Sequence, residues 1–138
     1  MRLGKNAKVE LIKRAPLFAH CSKRELAEVA SIADELDLPE GRDLIREGQR
    51  GREFFVLLEG EAAVTQDGTQ IATMRAGDFF GEIALVSDAP RTATVTSTTP
   101  VRVLVVTDRS FRTLLEHVPA IQLKVLKALA ERLAPQTL

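Results

Sequence analysis

The sequence predicts a mainly β protein: a closed or folded-over roll of short strands, with helices before and after it. Three observations predict that class. Apolar, β-branched and aromatic runs of strand length recur between residues 35 and 106, where the pattern alternates with a period of two. Turn signals separate these runs at short intervals, as Pro39-Glu40-Gly41, Glu47-Gly48, Gly60, Asp67-Gly68 and Ala76-Gly77-Asp78, which suits a roll better than an open sheet. Helical spacing is confined to the two ends of the chain.

The elements follow in order. Leu11, Ile12, Leu17 and Phe18 surround Pro16, predicting a short helix within residues 9–20 that the proline ends. Ser22 has Glu25 three residues on, the pattern of a capping box. Leu26, Val29, Ala30 and Ala33 follow at helical spacing, so residues 23–33 form a helix. Strands are expected at 35–38, 43–46, 53–59 and 61–65, and Asp67-Gly68 makes a tight hairpin returning at 69–74. Residues 92–98 and 101–106 supply the last strands, divided by Pro100. That makes seven or eight strands. Asp108 reads as the N-cap of a helix carrying Phe111, Leu114 and Leu115, and Pro119 restarts a final helix, residues 120–134. Ile121, Val125, Ala128 and Arg132 share one stripe of it, and Leu126, Leu129 and Leu133 read as packing residues.

Composition narrows the function classes. The 138 residues fit one domain with its own core. Lys plus Arg and Asp plus Glu both number 19, for zero net charge. That balance argues against wrapping nucleic acid by general electrostatics and leaves room for a local basic pocket. Cys21 is the single cysteine, read as a small apolar filler in a reducing compartment. Lys5, Lys8, Lys13 and Arg14 interrupt the first apolar runs, against the layout of a signal peptide. No run reaches the length of a membrane span. The expectation is a cytoplasmic domain, alone or as part of a larger protein.

Residues 80–95, Phe-Gly-Glu-Ile-Ala-Leu-Val-Ser-Asp-Ala-Pro-Arg-Thr-Ala-Thr-Val, carry the chemistry. Gly81 lets backbone N–H groups approach a ligand, and a helix opening there aims them at an anion. Arg91 adds a charged planar fork that fits phosphate oxygens. Glu82 beside a phosphate makes sense when the ligand also donates a hydroxyl, as a ribose does. Phosphate and sugar side by side suggest a nucleotide. Taken singly, Arg91 is also an ordinary surface arginine after a proline, and Glu82 an acid at a helix start.

The stretch resembles the phosphate-binding cassette of the cyclic nucleotide-binding domain found in catabolite-activator-type regulators, cyclic-nucleotide-dependent kinases and cyclic-nucleotide-gated channels. The resemblance covers nearly the whole chain. It implies an eight-stranded antiparallel β-roll, jelly-roll-like in its double-stranded β-helix. N-terminal helices occupy 5–33, the roll 34–107 with the cassette 80–95, and a C-terminal helical lid 108–134. By the same resemblance Glu82 matches the acceptor of the ribose 2′-hydroxyl and Arg91 the partner of the cyclic phosphate. Gly81, Ile83 and Ala84 match positions whose backbone faces the sugar-phosphate, and the Ala93 N–H one that reaches a phosphate oxygen. Thr92 stands where a hydroxyl helps some members read guanine, and does not by itself decide the base. Arg132 is similar to an arginine that covers the purine in some bacterial channel domains; it is equally a plain arginine near helix carbonyls.

Rival chemistries find little support. His20 and His117 lie off the predicted strands, so a cupin-type metal site lacks its ligands. Ser87, Ser97 and Cys21 have no histidine nearby in sequence and no nucleophile elbow. The expected function is a regulatory domain, not an enzyme, that takes cAMP or cGMP as ligand without a further cofactor. It transmits binding through its C-terminal helices to an effector absent from this chain, which carries no DNA-binding module and no membrane segment. The alternative is a degenerate roll serving as an interaction or dimerisation module without nucleotide.

Overall fold

The computed structural model describes residues 2–133, except the side chains of Arg132 and Leu133. The chain forms two compact units: one from residues up to 32 and from 109 onward, the other from Ala33–Asp108.

In the helical unit, α1 (Lys5–Lys13) buries Val9 and Ile12. It starts earlier than expected and stops before Pro16, because the residue preceding a proline avoids helical angles; Ala15 is extended at φ −70°, ψ 127°. A single 3-10 turn, Pro16–Phe18, follows. The next helix, α2 (Lys23–Ser31), opens on the expected capping box. Ser22 Oγ accepts from the Glu25 N–H at 3.2 Å, and Glu25 Oε1 accepts from the Ser22 N–H at 2.7 Å. The helix ends short of Ala33, where the chain turns toward the first strand.

The C-terminal part contributes α3 (Asp108–His117) and α4 (Pro119–Leu133). Asp108 is the first residue of α3 rather than a cap outside it; its N–H donates to the Arg52 carbonyl at 2.7 Å. Phe111 meets Phe18 edge-on, with ring centres 5.8 Å apart. Ile121, Val125 and Ala128 are buried on one stripe of α4, as the spacing predicts. Leu126 breaks the expectation, being 62% exposed. It lies about 140° around the helix from Ile121, on the side away from the buried stripe.

Lys124 of α4 donates to the same Glu25 oxygen that closes the capping box. This hydrogen bond, then that from the Ser22 N–H, holds the Glu25 carboxyl below its ordinary value of 4.5. A depressed folded-state pKa adds stability above the unfolded value, and that stability is lost as pH falls through the folded one. Acidification below about 4.5 should therefore loosen this unit. We expect Glu25→Gln to lower the thermal midpoint at pH 7 and to shrink the further drop between pH 6 and pH 3. An acid drop as steep as in the unmodified protein would show that Glu25 is not its source.

The β unit holds eight antiparallel strands in two four-stranded sheets, the roll that the sequence predicts. The strands are β1 (Asp34–Leu38), β2 (Asp43–Ile45), β3 (Glu53–Glu59), β4 (Ala62–Gln66), β5 (Thr69–Met74), β6 (Phe79–Phe80), β7 (Thr94–Ser97) and β8 (Val101–Thr107). One sheet runs β1-β8-β3-β6 and the other β2-β7-β4-β5. Inward residues of both sheets, among them Ile45, Leu57, Val64, Val95 and Val103, form one core. The β4–β5 turn has Asp67 at φ 51° and Gly68 at φ 79°, the two positive angles that an Asp-Gly hairpin supplies.

Strand β6 escapes a reading by period because it has only two residues. It matters all the same: Phe80 pairs with Phe55 of β3 and stacks on it at 5.1 Å between ring centres, fixing where the next residue, Gly81, emerges. Ser97, the buried polar residue of the roll, accepts from the Arg42 N–H at 2.9 Å and donates to the Pro39 carbonyl at 2.7 Å. It ties the β1–β2 turn to β7.

Candidate functional site

The cassette wraps a cavity of about 360 Å³ in the β unit, within the range of small-molecule sites. Its floor is apolar, from Ile45, Val64, Met74 and Phe80. Gly81, Glu82, Ile83, Ala84, Arg91, Thr92 and Ala93 all line it, so seven of the eight residues singled out by sequence meet around one space. The eighth, Arg132, has its side chain outside the described residues.

Local conformation explains the near side. Gly81 stands at φ 82°, ψ 10°, a left-handed position that favours glycine. An added Cβ would lie 2.8 Å from the Glu53 carbonyl oxygen. From Gly81 the chain makes one 3-10 turn, Glu82–Leu85, where the sequence suggested a helix start. With so few aligned peptides, that turn supplies little dipole of its own. Leu85 points into the protein while Ile83 is 40% exposed. Glu82 and Ala84 are half-buried.

The far side is set by backbone pairing. The Arg91 N–H donates to the Gln49 carbonyl at 2.9 Å, and the Arg91 carbonyl accepts from the Gly48 N–H at 2.8 Å. Gln66 donates to the Thr92 carbonyl at 3.1 Å. Thr92 itself is exposed, whereas Ala93 packs against the core of the roll.

The Arg91 side chain folds back beneath the cavity wall. One Nη donates to the Glu53 carbonyl at 2.6 Å and the other to the Gly81 carbonyl at 3.3 Å. Among the described residues no ion pair involves Arg91. Burial pushes its pKa below the usual arginine value, and the charge of nearby Glu53 opposes that only in part. A partly desolvated cation held by neutral carbonyls gains most from an anion brought to it.

Sequence reasoning missed two members of this arrangement. The Glu53 carbonyl gives no sign of itself in the residue type. Gly51 gives no sign of its role in the sequence either; it stands at an ordinary backbone angle, and therefore serves for space rather than for a turn. A Cβ there would fall 1.8 Å from Arg91 Nε. The remaining candidates outside the cassette are quiet. Burial raises the half-buried Cys21 thiol to about 11, so it stays a thiol at neutral pH. His117 bonds the Thr113 carbonyl one turn back, and His20 meets Glu131. Among the described residues no helix is long and apolar enough to cross a membrane.

Roll and cavity together define a β-roll domain whose cassette lines one space of small-molecule size. The family described as "Cyclic nucleotide-binding domain" matches residues 35–118. The chain belongs to the cyclic nucleotide-binding domain family. Among curated relatives, it is 33% identical over 126 residues to a cAMP-dependent protein kinase regulatory subunit of Neurospora crassa, covering 90% of this chain and 33% of that protein. It is 41% identical over 112 residues to the corresponding subunit of Mycosarcoma maydis, covering 72% and 21%. The chain thus spans a third or less of the length of these relatives. Among solved structures, the N-terminal domain of a transcriptional regulator from Streptomyces coelicolor A3(2) matches with a TM-score of 0.82 at 30% identity, covering 92% of this chain and 94% of that one. The cAMP-bound PfPKA-R (141-441) matches with a TM-score of 0.67 at 27% identity, covering 92% and 46%.

Proposed function

We propose that this chain is a regulatory sensor of cAMP. The observation that carries the reading is Arg91, a partly desolvated guanidinium on two carbonyls at the wall of a small-molecule cavity. The cyclic phosphate supplies the negative charge that the two neutral carbonyls do not. Glu82 takes the ribose 2′-hydroxyl in a charge-assisted bond of about 1.5–3 kcal/mol. The backbone of Gly81, Ile83, Ala84 and Ala93 lines the sugar-phosphate. The apolar floor of Ile45, Val64, Met74 and Phe80 takes the less polar part of the nucleotide. The similarity to kinase regulatory subunits, one of the matching structures being cAMP-bound, favours adenine over guanine. Binding biases α3 and α4 between two states, and a separate effector reads that change; no chemical step takes place on the chain.

Calorimetric titration with cAMP and cGMP tests the reading. We expect heat and saturation with cAMP, and silence with both nucleotides would overturn it. Thr92 is exposed, so Thr92→Ala should alter cAMP affinity by no more than about twofold. A cGMP preference of about tenfold or more, abolished by the same substitution, would assign the base to guanine instead.

A further inference from the structure

Gly51 lies on no strand and stands at an ordinary backbone angle, so neither a turn nor a strained φ accounts for it. Its missing side chain does. A Cβ would sit 1.8 Å from Nε, 2.0 Å from Cζ and 2.4 Å from one Nη of Arg91. All three atoms belong to the guanidinium, and no other residue is among the nearest. A Cβ on Gly81 would likewise sit 2.7 Å from the other Nη. The guanidinium therefore lies in a slot that the missing side chains of both glycines leave open. The carbonyls of Glu53 and Gly81 take a donor from each Nη at its end.

We infer that Gly51 is a positioning residue for the ligand anion: its missing side chain holds the Arg91 guanidinium in one pose, with its remaining N–H donors available to a phosphate. The inference rests on the reading of Arg91 as the phosphate partner. It adds that affinity depends on a residue 40 positions away in the chain, one that contributes no polar side-chain atom. A long flexible arginine free of the slot would lose rotamer freedom on binding. One already seated has given up that freedom on folding, which is the ordinary route by which preorganisation raises affinity.

The test compares the unmodified protein with Gly51→Ala, Arg91→Ala and the double variant. It uses cAMP titration, thermal unfolding, and the Arg91 side-chain Nε–H resonance in ¹⁵N-arginine-labelled protein. Gly51→Ala should weaken cAMP by about tenfold or more and move the Arg91 resonance. Its unfolding midpoint should stay near that of the unmodified protein, because the new methyl group meets only the end of a flexible side chain. In the Arg91→Ala background the same change should do nothing further. An equal loss in both backgrounds would overturn the inference, as would an unmoved resonance with undiminished binding. If Gly51→Ala fails to fold while the double variant folds, the collision with Arg91 is demonstrated directly; if neither folds, Gly51 serves the roll and the inference fails. If the unmodified protein ignores cAMP but the resonance still moves, the slot stands and the ligand reading falls. If it binds cAMP and the resonance stays put, the slot alone falls.

Discussion

Arg91→Ala should weaken cAMP binding by about 2–5 kcal/mol, roughly 30- to several-thousand-fold, the largest effect on affinity of any single side chain in the cassette. The reason lies in what surrounds the guanidinium. It is held by the carbonyls of Glu53 and Gly81, and burial disfavours its charged form. A charge in that position is only partly compensated until an anion arrives, so its removal takes away nearly all of the electrostatic gain on binding. Folding should suffer little. The variant loses two charge-assisted bonds to carbonyls, worth about 1.5–3 kcal/mol each, and relief from a partly buried cation offsets much of that loss. The measurement is calorimetric titration together with a thermal melt. Undiminished affinity in a folded variant would show that the anion is held elsewhere.

Gly60→Ala should have the opposite profile, a large loss of stability with ligand affinity intact in the molecules that fold. Gly60 leaves β3 at φ 89°, where an L side chain costs about 1–2 kcal/mol. A Cβ would also stand 2.3 Å from the Pro100 carbonyl oxygen, and this neighbour is backbone. The corner around it is tightly bonded: Thr98 N–H donates to the Glu61 carbonyl at 3.0 Å, and Glu61 N–H to Thr99 Oγ1 at 3.0 Å. With overpacking at about 1–3 kcal/mol, the combined loss should reach about 2–5 kcal/mol. Urea unfolding would show it as a lower midpoint at unchanged slope. An unfolding free energy within about 0.5 kcal/mol of that of the unmodified protein would mean that the corner yields freely.

The contrast between these two glycine-lined places shows what a sequence discloses. Local chemistry was readable. The Ser22–Glu25 capping box, the Asp67-Gly68 hairpin and the alternation of the strands each depend on residues a few positions apart. The cassette was readable for the same reason, since its seven cavity-lining candidates fall between Gly81 and Ala93. What escaped depends on distant backbone. The Glu53 carbonyl meets Arg91 from 38 residues away, and any residue type brings a carbonyl. Gly51 and Gly60 are both plain glycines in the sequence, yet one makes room for a side chain and the other for a peptide group. The exposed Leu126 shows the same limit from another side: hydrophobicity alone does not tell which side of α4 a leucine occupies.

The pairing of β1 with β8 bears on how the molecule is made. These are the first and last strands of the roll, and Asp34 stands opposite Val105. Their sheet cannot close until nearly the whole β unit has been synthesised and its two ends have met. The β4–β5 hairpin, by contrast, joins neighbours and can form within microseconds. Such non-local closure sets folding times on the order of milliseconds to seconds. On a ribosome the cassette residues emerge before Val101–Thr107, so they wait for the strand that seals the roll around them.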